Sequence, residues 1–195
     1  MIDKRRVAIL ISGRGSNMEV LIKAARAEDF PARIVGVFSN RAAAPGLDFA
    51  RSEGIPTANL AQSKFETRLD FENALTEILE GWGAEVVCLA GFMRILTPEF
   101  TTHWRGKAIN IHPSLLPAYK GLDTHARAIA DGATEAGCTV HFVTPGLDEG
   151  PVIAQAKVPV LPDDTPETLA ARVLVEEHKL YPQALRLVAE GTVRL

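Results

Sequence analysis

Short apolar runs alternate with segments of helical periodicity along most of this 195-residue chain. Val7-Ala8-Ile9-Leu10-Ile11 is continuously apolar, as expected of a parallel strand covered on both faces. Ser12-Gly13-Arg14-Gly15-Ser16 breaks it, and Asn17 to Ala27 has helical spacing. Ile34 to Phe38 predicts a second strand, and a helix follows from about Pro45 to Glu53, stopped by Gly54. Phe71, Leu75, Ile78, Leu79 and Trp82 recur three and four apart, which predicts a long amphipathic helix ending before Gly83. Val86 to Ala90 reads as another buried strand. Thr97-Pro98-Glu99 opens a helix, with Thr97 as cap and Pro98 in the first turn. Ala108 to Ile111 and residues 139–143 and 152–158 predict the later strands. Asp164-Thr165-Pro166-Glu167 opens a last helix, which Pro182 is expected to kink or divide before Gly191. The pattern predicts one α/β domain over residues 1–195, with a mainly parallel twisted sheet and helices on both faces.

Composition narrows the field. Hydrophobic content of 47% and charged content of 23% are ordinary for a globular domain. A formal net charge of −3 gives no reason to expect nucleic acid as a partner. No apolar run approaches the ~20 residues that span a bilayer, and the charged start Met1-Ile2-Asp3-Lys4-Arg5-Arg6 leads into a run too short for a signal-peptide core. Cys88 and Cys138 lie in or beside predicted strands without a CxxC context, so they read as buried free thiols in a cytoplasmic protein.

Three segments carry candidate chemistry. In Asn110-Ile111-His112-Pro113, at the end of a strand, period two sends Asn110 and His112 to the same side. An amide there can donate to an oxyanion and an imidazole can move a proton near neutral pH. Taken alone, the pair fits a turn-closing asparagine and a buried histidine equally well. The loop Ser12 to Asn17 lies between strand and helix, where glycines and free N–H groups bind anions. The third glycine of a dinucleotide fingerprint falls at Met18, and the lysine of a nucleotide-triphosphate loop is missing. A phosphomonoester is the better ligand; a glycine turn without a ligand is the alternative. In Thr144 to Pro151, a constrained turn, Asp148 is a carboxylate that could orient His112. The five histidines show no HExxH or Cys/His spacing, so no metal is expected.

With these segments in view, the chain resembles the phosphoribosylglycinamide formyltransferase (GAR transformylase) family of folate-dependent enzymes, from Val7 to about Tyr181. Ile11 to Asn17 resembles its phosphate loop, Leu89-Ala90-Gly91-Phe92-Met93-Arg94-Ile95-Leu96 its folate segment, and Asn110 to Pro117 its catalytic strand and loop. His141-Phe142-Val143 and Leu147-Asp148 resemble the segment bearing the third catalytic residue. Two departures stand out: Asp123-Thr124-His125, where two histidines often flank the threonine, and Glu149, where a small residue is common.

The resemblance implies a Rossmann-like formyltransferase fold, with a ribonucleotide-binding half at about 1–100 and a catalytic, folate-binding half at about 89–195. It implies formyl transfer from 10-formyltetrahydrofolate, the co-substrate, to glycinamide ribonucleotide (GAR) in purine synthesis. Asn110 and His112 would stabilise the oxyanion, and Asp148 would support His112 and help shuttle the proton. Gly15, Ser16 and Asn17 would hold the phosphate and Glu177 the ribose. Phe92, Met93, Arg94, Ile95, Leu96, Val143 and Thr144 would line the folate pocket, with Arg68 pairing the glutamate tail. Pro113 to Thr124 would be a mobile loop over the substrates. The partners would be these small molecules, with neither nucleic acid nor membrane, and the protein a monomer or homodimer. Formyltetrahydrofolate hydrolase and a non-catalytic folate or nucleotide binder are the alternatives. Methionyl-tRNA formyltransferase fits less well, since the chain lacks the length for a further domain and the basic charge for tRNA.

Overall fold

The computed structural model describes residues 4–195; Met1, Ile2 and Asp3 of the charged start lie outside the described residues. Seven strands form one sheet: β1 (Arg5–Ile11), β2 (Ala32–Ser39), β3 (Thr57–Asn59), β4 (Val86–Leu89), β5 (Ala108–His112), β6 (Glu135–Phe142) and β7 (Val152–Pro159). Their order is β3-β2-β1-β4-β5-β6-β7. Pairings among β1 to β5 are parallel, whereas β5–β6 and β6–β7 are antiparallel. The connections reverse direction between β1 and β4, which opens the crevice where open α/β sheets bind ligands.

Six α-helices cover the sheet: α1 (Ser16–Ala25), α2 (Pro45–Ser52), α3 (Arg68–Gly81), α4 (Pro98–His103), α5 (Thr124–Ala130) and α6 (Pro166–Ala189). Alternation along β1 divides the core in two. Val7, Ile9 and Ile11 pack with Met18 and Leu21 of α1, Leu47 of α2 and Leu169, Val173 and Leu185 of α6. Ala8 and Leu10 face the other way, toward Phe71, Leu75 and Leu79 of α3 and Phe100 and Trp104 beside α4. At roughly 1.5–3 kcal/mol for each fully buried large apolar side chain, these two layers are the main stabilising element. No helix among the described residues is long and apolar enough to cross a membrane.

Thr97 and Thr165 cap α4 and α6 as their spacing implies, each side chain accepting an N–H from three residues on. Pro182 does not divide the helix: α6 runs as one element over 24 residues, Pro166–Ala189. Proline removes one helical N–H donor there, but Tyr181, Ala184 and Leu185 beside it are fully buried, and their packing holds the helix together. The sequence pattern did not reveal β3, a 3-10 turn at Gln62–Lys64, or α5. β3 has three residues, and α5 follows a Pro- and Gly-rich stretch with its N-cap, Asp123, in the left-handed region (φ 55°) rather than in capping geometry.

Candidate active site

The loops after β1, β4 and β5 leave the same edge of the sheet. After β1, Gly15 takes a left-handed conformation (φ 73°) at the N-cap of α1, turning the chain so that the helix N-terminus faces the crevice. Ser12, Gly13, Arg14, Gly15, Ser16 and Asn17 line a cavity of about 290 Å³ with Arg41, Ala90, Gly91 and Met93. Of the segment expected to bind folate, Met93 shares this space with the loop after β1, together with Ala90 and Gly91 before it; Phe92 and Arg94 to Leu96 do not line it. Arg14 and Arg41 add two guanidinium groups suited to a phosphate. The sequence motif contains Arg14 without giving it a role, and Arg41 lies outside the motif, brought in by the end of β2.

At the floor of this region the Asn17 amide donates to a carboxylate oxygen of Glu177 on α6, at 2.7 Å. Both side chains are buried, so two predicted substrate residues 160 positions apart do meet. Burial pushes the Glu177 carboxyl up, and the Asn17 bond only partly offsets it. Asn17 Oδ1 is buried and unpartnered among the described residues, an unmet acceptor at the site.

Asn110 and His112 project from β5 on the α3/α4 side, opposite to Ile109 and Ile111. The antiparallel register sets His141 of β6 directly across from Asn110. The β5–β6 ladder continues one residue past Phe142, the Val143 N–H donating to the Ala108 carbonyl, and the turn that follows brings Asp148 back to this side of the sheet. Asp148 Oδ2 lies 3.4 Å from His112 Nδ1 and Oδ1 lies 3.7 Å from His141 Nε2. Asn110 Nδ2 lies 3.4 Å from the same His141 nitrogen. The result is a four-residue cluster, Asn110, His112, His141 and Asp148, rather than the three predicted. His141 appeared in the sequence reading only as part of a motif, because the register between β5 and β6 is not visible in either strand alone.

The hydrogen bonds define the histidine roles. His141 Nδ1 faces the Phe142 carbonyl at 2.8 Å, which requires N–H there, and its Nε2 lies between the Asn110 amide and the Asp148 carboxylate. His112 Nε2 donates to the Tyr119 carbonyl at 2.9 Å, while its Nδ1 faces the Asp148 carboxylate. Both ring nitrogens of His112 thus face oxygen acceptors. Burial alone would raise the Asp148 carboxyl; the His141 bond, the Gly121 N–H at 2.9 Å and the two histidine charges outweigh it, so it sits below the usual aspartate value.

The segment after β5 is anchored in its first half. Leu116 N–H and the Ser114 carbonyl both bond Thr139 Oγ1, and the Gln155 amide donates to the Leu116 carbonyl. Its second half lies over the cluster through Tyr119 and Gly121, and Lys120 pairs with Glu149 at 2.9 Å. Glu149, one of the two departures, thus holds one loop to the other. A larger cavity of about 330 Å³ lies behind this segment against α5, and none of the four clustered residues lines it.

In the folate segment Phe92 and Leu96 are buried, whereas Met93, Arg94 and Ile95 are exposed. Val143 is buried and Thr144 half-buried in the turn that leads back to Asp148. Arg68 is exposed at the start of α3 and touches none of the clustered residues by hydrogen bond or ion pair. No group of residues suited to a metal ion occurs among the described residues.

A sheet-edge cluster of amide, imidazole and carboxylate beside a glycine-containing strand-to-helix loop is the arrangement of a group-transfer enzyme, and the chain belongs to the formyl transferase family, whose model matches residues 5–185. It is 45% identical to the phosphoribosylglycinamide formyltransferase of Escherichia coli (strain K12), over 97% of this chain and 89% of that protein. The crystal structure of phosphoribosylglycinamide formyltransferase from Brucella melitensis superposes with a TM-score of 0.92 at 52% identity, over 97% of this chain and 98% of that one. A stretch of the trifunctional purine biosynthetic protein adenosine-3 of Bos taurus is 50% identical over 98% of this chain, which spans only 19% of that longer protein.

Proposed function

We propose that the chain transfers the formyl group of 10-formyltetrahydrofolate to the amine of glycinamide ribonucleotide, giving formyl-GAR and tetrahydrofolate in purine biosynthesis. The observation that carries this reading is the buried contact of His112 with Asp148 beside Asn110, at the sheet edge shared with the Gly15 loop. Family membership and the named relatives agree with it.

The chemistry assigns each group one task. The GAR amine attacks the formyl carbon, and the carbonyl electron pair moves onto oxygen. One Asn110 N–H, with the other held toward His141, donates to that oxyanion. The His112 Nε2–H, which Tyr119 accepts in this structure, is the second donor once the loop carbonyl gives way. Collapse of the intermediate breaks the bond to folate N10, which takes up the proton lost by the amine. Asp148, in contact with His112, supports it as charge develops and helps shuttle this proton. Gly15, Ser16 and Asn17 bind the phosphate with Arg14 and Arg41 nearby, and Glu177 takes the ribose hydroxyls. Phe92 to Leu96, Val143 and Thr144 receive the folate head, and Arg68 the glutamate tail.

In this reading residues of about 1–100 hold the ribonucleotide, and those of about 89–195 hold folate and carry out the chemistry. The protein works in the cytoplasm as a monomer or homodimer on small molecules alone, without a metal. The test follows deformylation of a 10-formyl folate by absorbance, with and without GAR. Turnover that requires GAR and disappears in His112→Ala supports the transferase. Equal turnover without GAR makes the protein a hydrolase, and tight folate binding without turnover makes it a binder.

A further inference from the structure

Glu72 on α3 is 2% exposed, yet no residue assigned to the reaction touches it. Its carboxylate is spent on one residue. Both oxygens accept the Thr97 backbone N–H at 3.1 Å, and one also accepts from Thr97 Oγ1. Thr97 in turn caps α4, its Oγ1 accepting from the Phe100 N–H. Glu72 itself cannot drift, because Phe71 and Leu75 on the same helix are fully packed in the core.

Thr97 closes the exposed strip that follows β4. Residues 92–97 have no regular secondary structure and leave Met93 and Ile95 63% and 64% exposed. The strip is held at its beginning by Ser12, whose N–H donates to the Gly91 carbonyl and whose hydroxyl accepts the Met93 N–H at 2.8 Å. In between, the only backbone bond is Arg94 N–H to the Phe92 carbonyl. Among the described residues, nothing in the protein takes the N–H groups of Ile95 and Leu96 or the carbonyls of Met93 to Leu96. These are free donors and acceptors whose positions depend on the two ends.

We propose that Glu72 is a positioning residue for the folate co-substrate: acting through Thr97, it sets the backbone groups of residues 93–96 in the geometry that binds the folate head. A buried carboxylate in an apolar layer is costly unless fully bonded, and burial does push Glu72 upward against its Thr97 bonds. Helix capping alone is served by Thr97 without it. The carboxylate adds a second tie, from α3 to the strip, at the point where an otherwise unsupported backbone must hold its shape. The inference rests on the folate reading above.

The test compares Glu72→Leu, which removes the acceptor at similar bulk, with Glu72→Gln, which keeps an amide oxygen for the Thr97 N–H. Leaving a buried N–H unpaired should raise the KM for 10-formyltetrahydrofolate about tenfold in Glu72→Leu, with kcat and the KM for GAR within about twofold. Glu72→Gln should return the folate KM to within about threefold of the parent, since a neutral acceptor retains roughly half the bond. An unchanged folate KM in Glu72→Leu, or an equal rise in both KM values, would overturn the proposal. If Glu72→Leu does not fold, Glu72→Met, which likewise offers the Thr97 N–H no oxygen, should show the same folate-selective rise, and its absence would count equally against the proposal. Calorimetric titration with tetrahydrofolate separates the two readings. A parent protein that binds it without turnover fails as a transferase, yet weaker binding in the Glu72→Leu variant would still support the positioning role.

Discussion

Asp148→Asn isolates the charge at the centre of the cluster. Asp148 has a left-handed backbone (φ 52°), a conformation asparagine tolerates, so the turn should keep its shape. The amide oxygen can still accept from Gly121 and His112, and what disappears is the negative charge 3.4 Å from His112 Nδ1. Two unit charges about 4 Å apart interact by about 4 kcal/mol at an effective dielectric of 20. The Asp148 side chain is only 8% exposed, so solvent does little to screen the pair. The remaining neutral hydrogen bond recovers part of this, leaving a loss of about 2–4 kcal/mol, roughly 30- to 1,000-fold in kcat. The assay is initial-rate deformylation at saturating GAR and folate, with circular dichroism to verify the fold. The KM values should change little, because Asp148 faces the two histidines. A kcat within threefold of the parent would refute the claim that this carboxylate supports His112 during transfer.

Other perturbations probe the framework. Asn110→Ala should lower kcat by about 100- to 1,000-fold with the KM for GAR nearly unchanged, as for loss of a single oxyanion donor; near-normal turnover would remove that role. Gly150 packs so tightly that a Cβ would overlap the Phe142 carbonyl. Gly150→Ala should therefore displace the Asp148 turn, costing about 1–3 kcal/mol in stability and lowering the activity as well, both measurable on one preparation. Far from the site, the Arg172 guanidinium bonds Asp164 at 2.6 and 2.8 Å and holds its carboxyl well below the usual range. A depressed folded-state pKa gives stability that is present above the unfolded value near 4 and lost as pH falls through the folded value. Asp164→Asn should thus melt below the parent at pH 7, with the gap closing on acidification and activity unaffected.

How much of this was legible in the chain depended on the range of the signal. Val7 to Ile11 and the Phe71 to Trp82 stripe follow from local periodicity and were readable residue by residue. Asn110 and His112 were legible as a pair because period two is a property of one strand. His141 was not, since its place opposite Asn110 comes from an antiparallel register set by the whole β5–β6 pairing. Asp148 could be proposed from its turn, but its approach to His112 depends on the chain folding back after Val143. Glu72 was invisible for a similar reason: one polar residue on an amphipathic helix looks solvated until tertiary structure sets Thr97 against it. Pro182 does not divide α6 because the buried Tyr181 and Leu185 hold both sides of it, a tertiary effect that local helix energetics omit.

The central claim is that the cluster passes a formyl group directly from folate to a bound amine. A single turnover with 10-formyltetrahydrofolate carrying 13C in the formyl group, followed by mass spectrometry, tests it most directly. All of the label should appear in formylated GAR, and Asn110→Ala and Asp148→Asn should slow its appearance without diverting it. Label recovered as free formate in the presence of saturating GAR would contradict it.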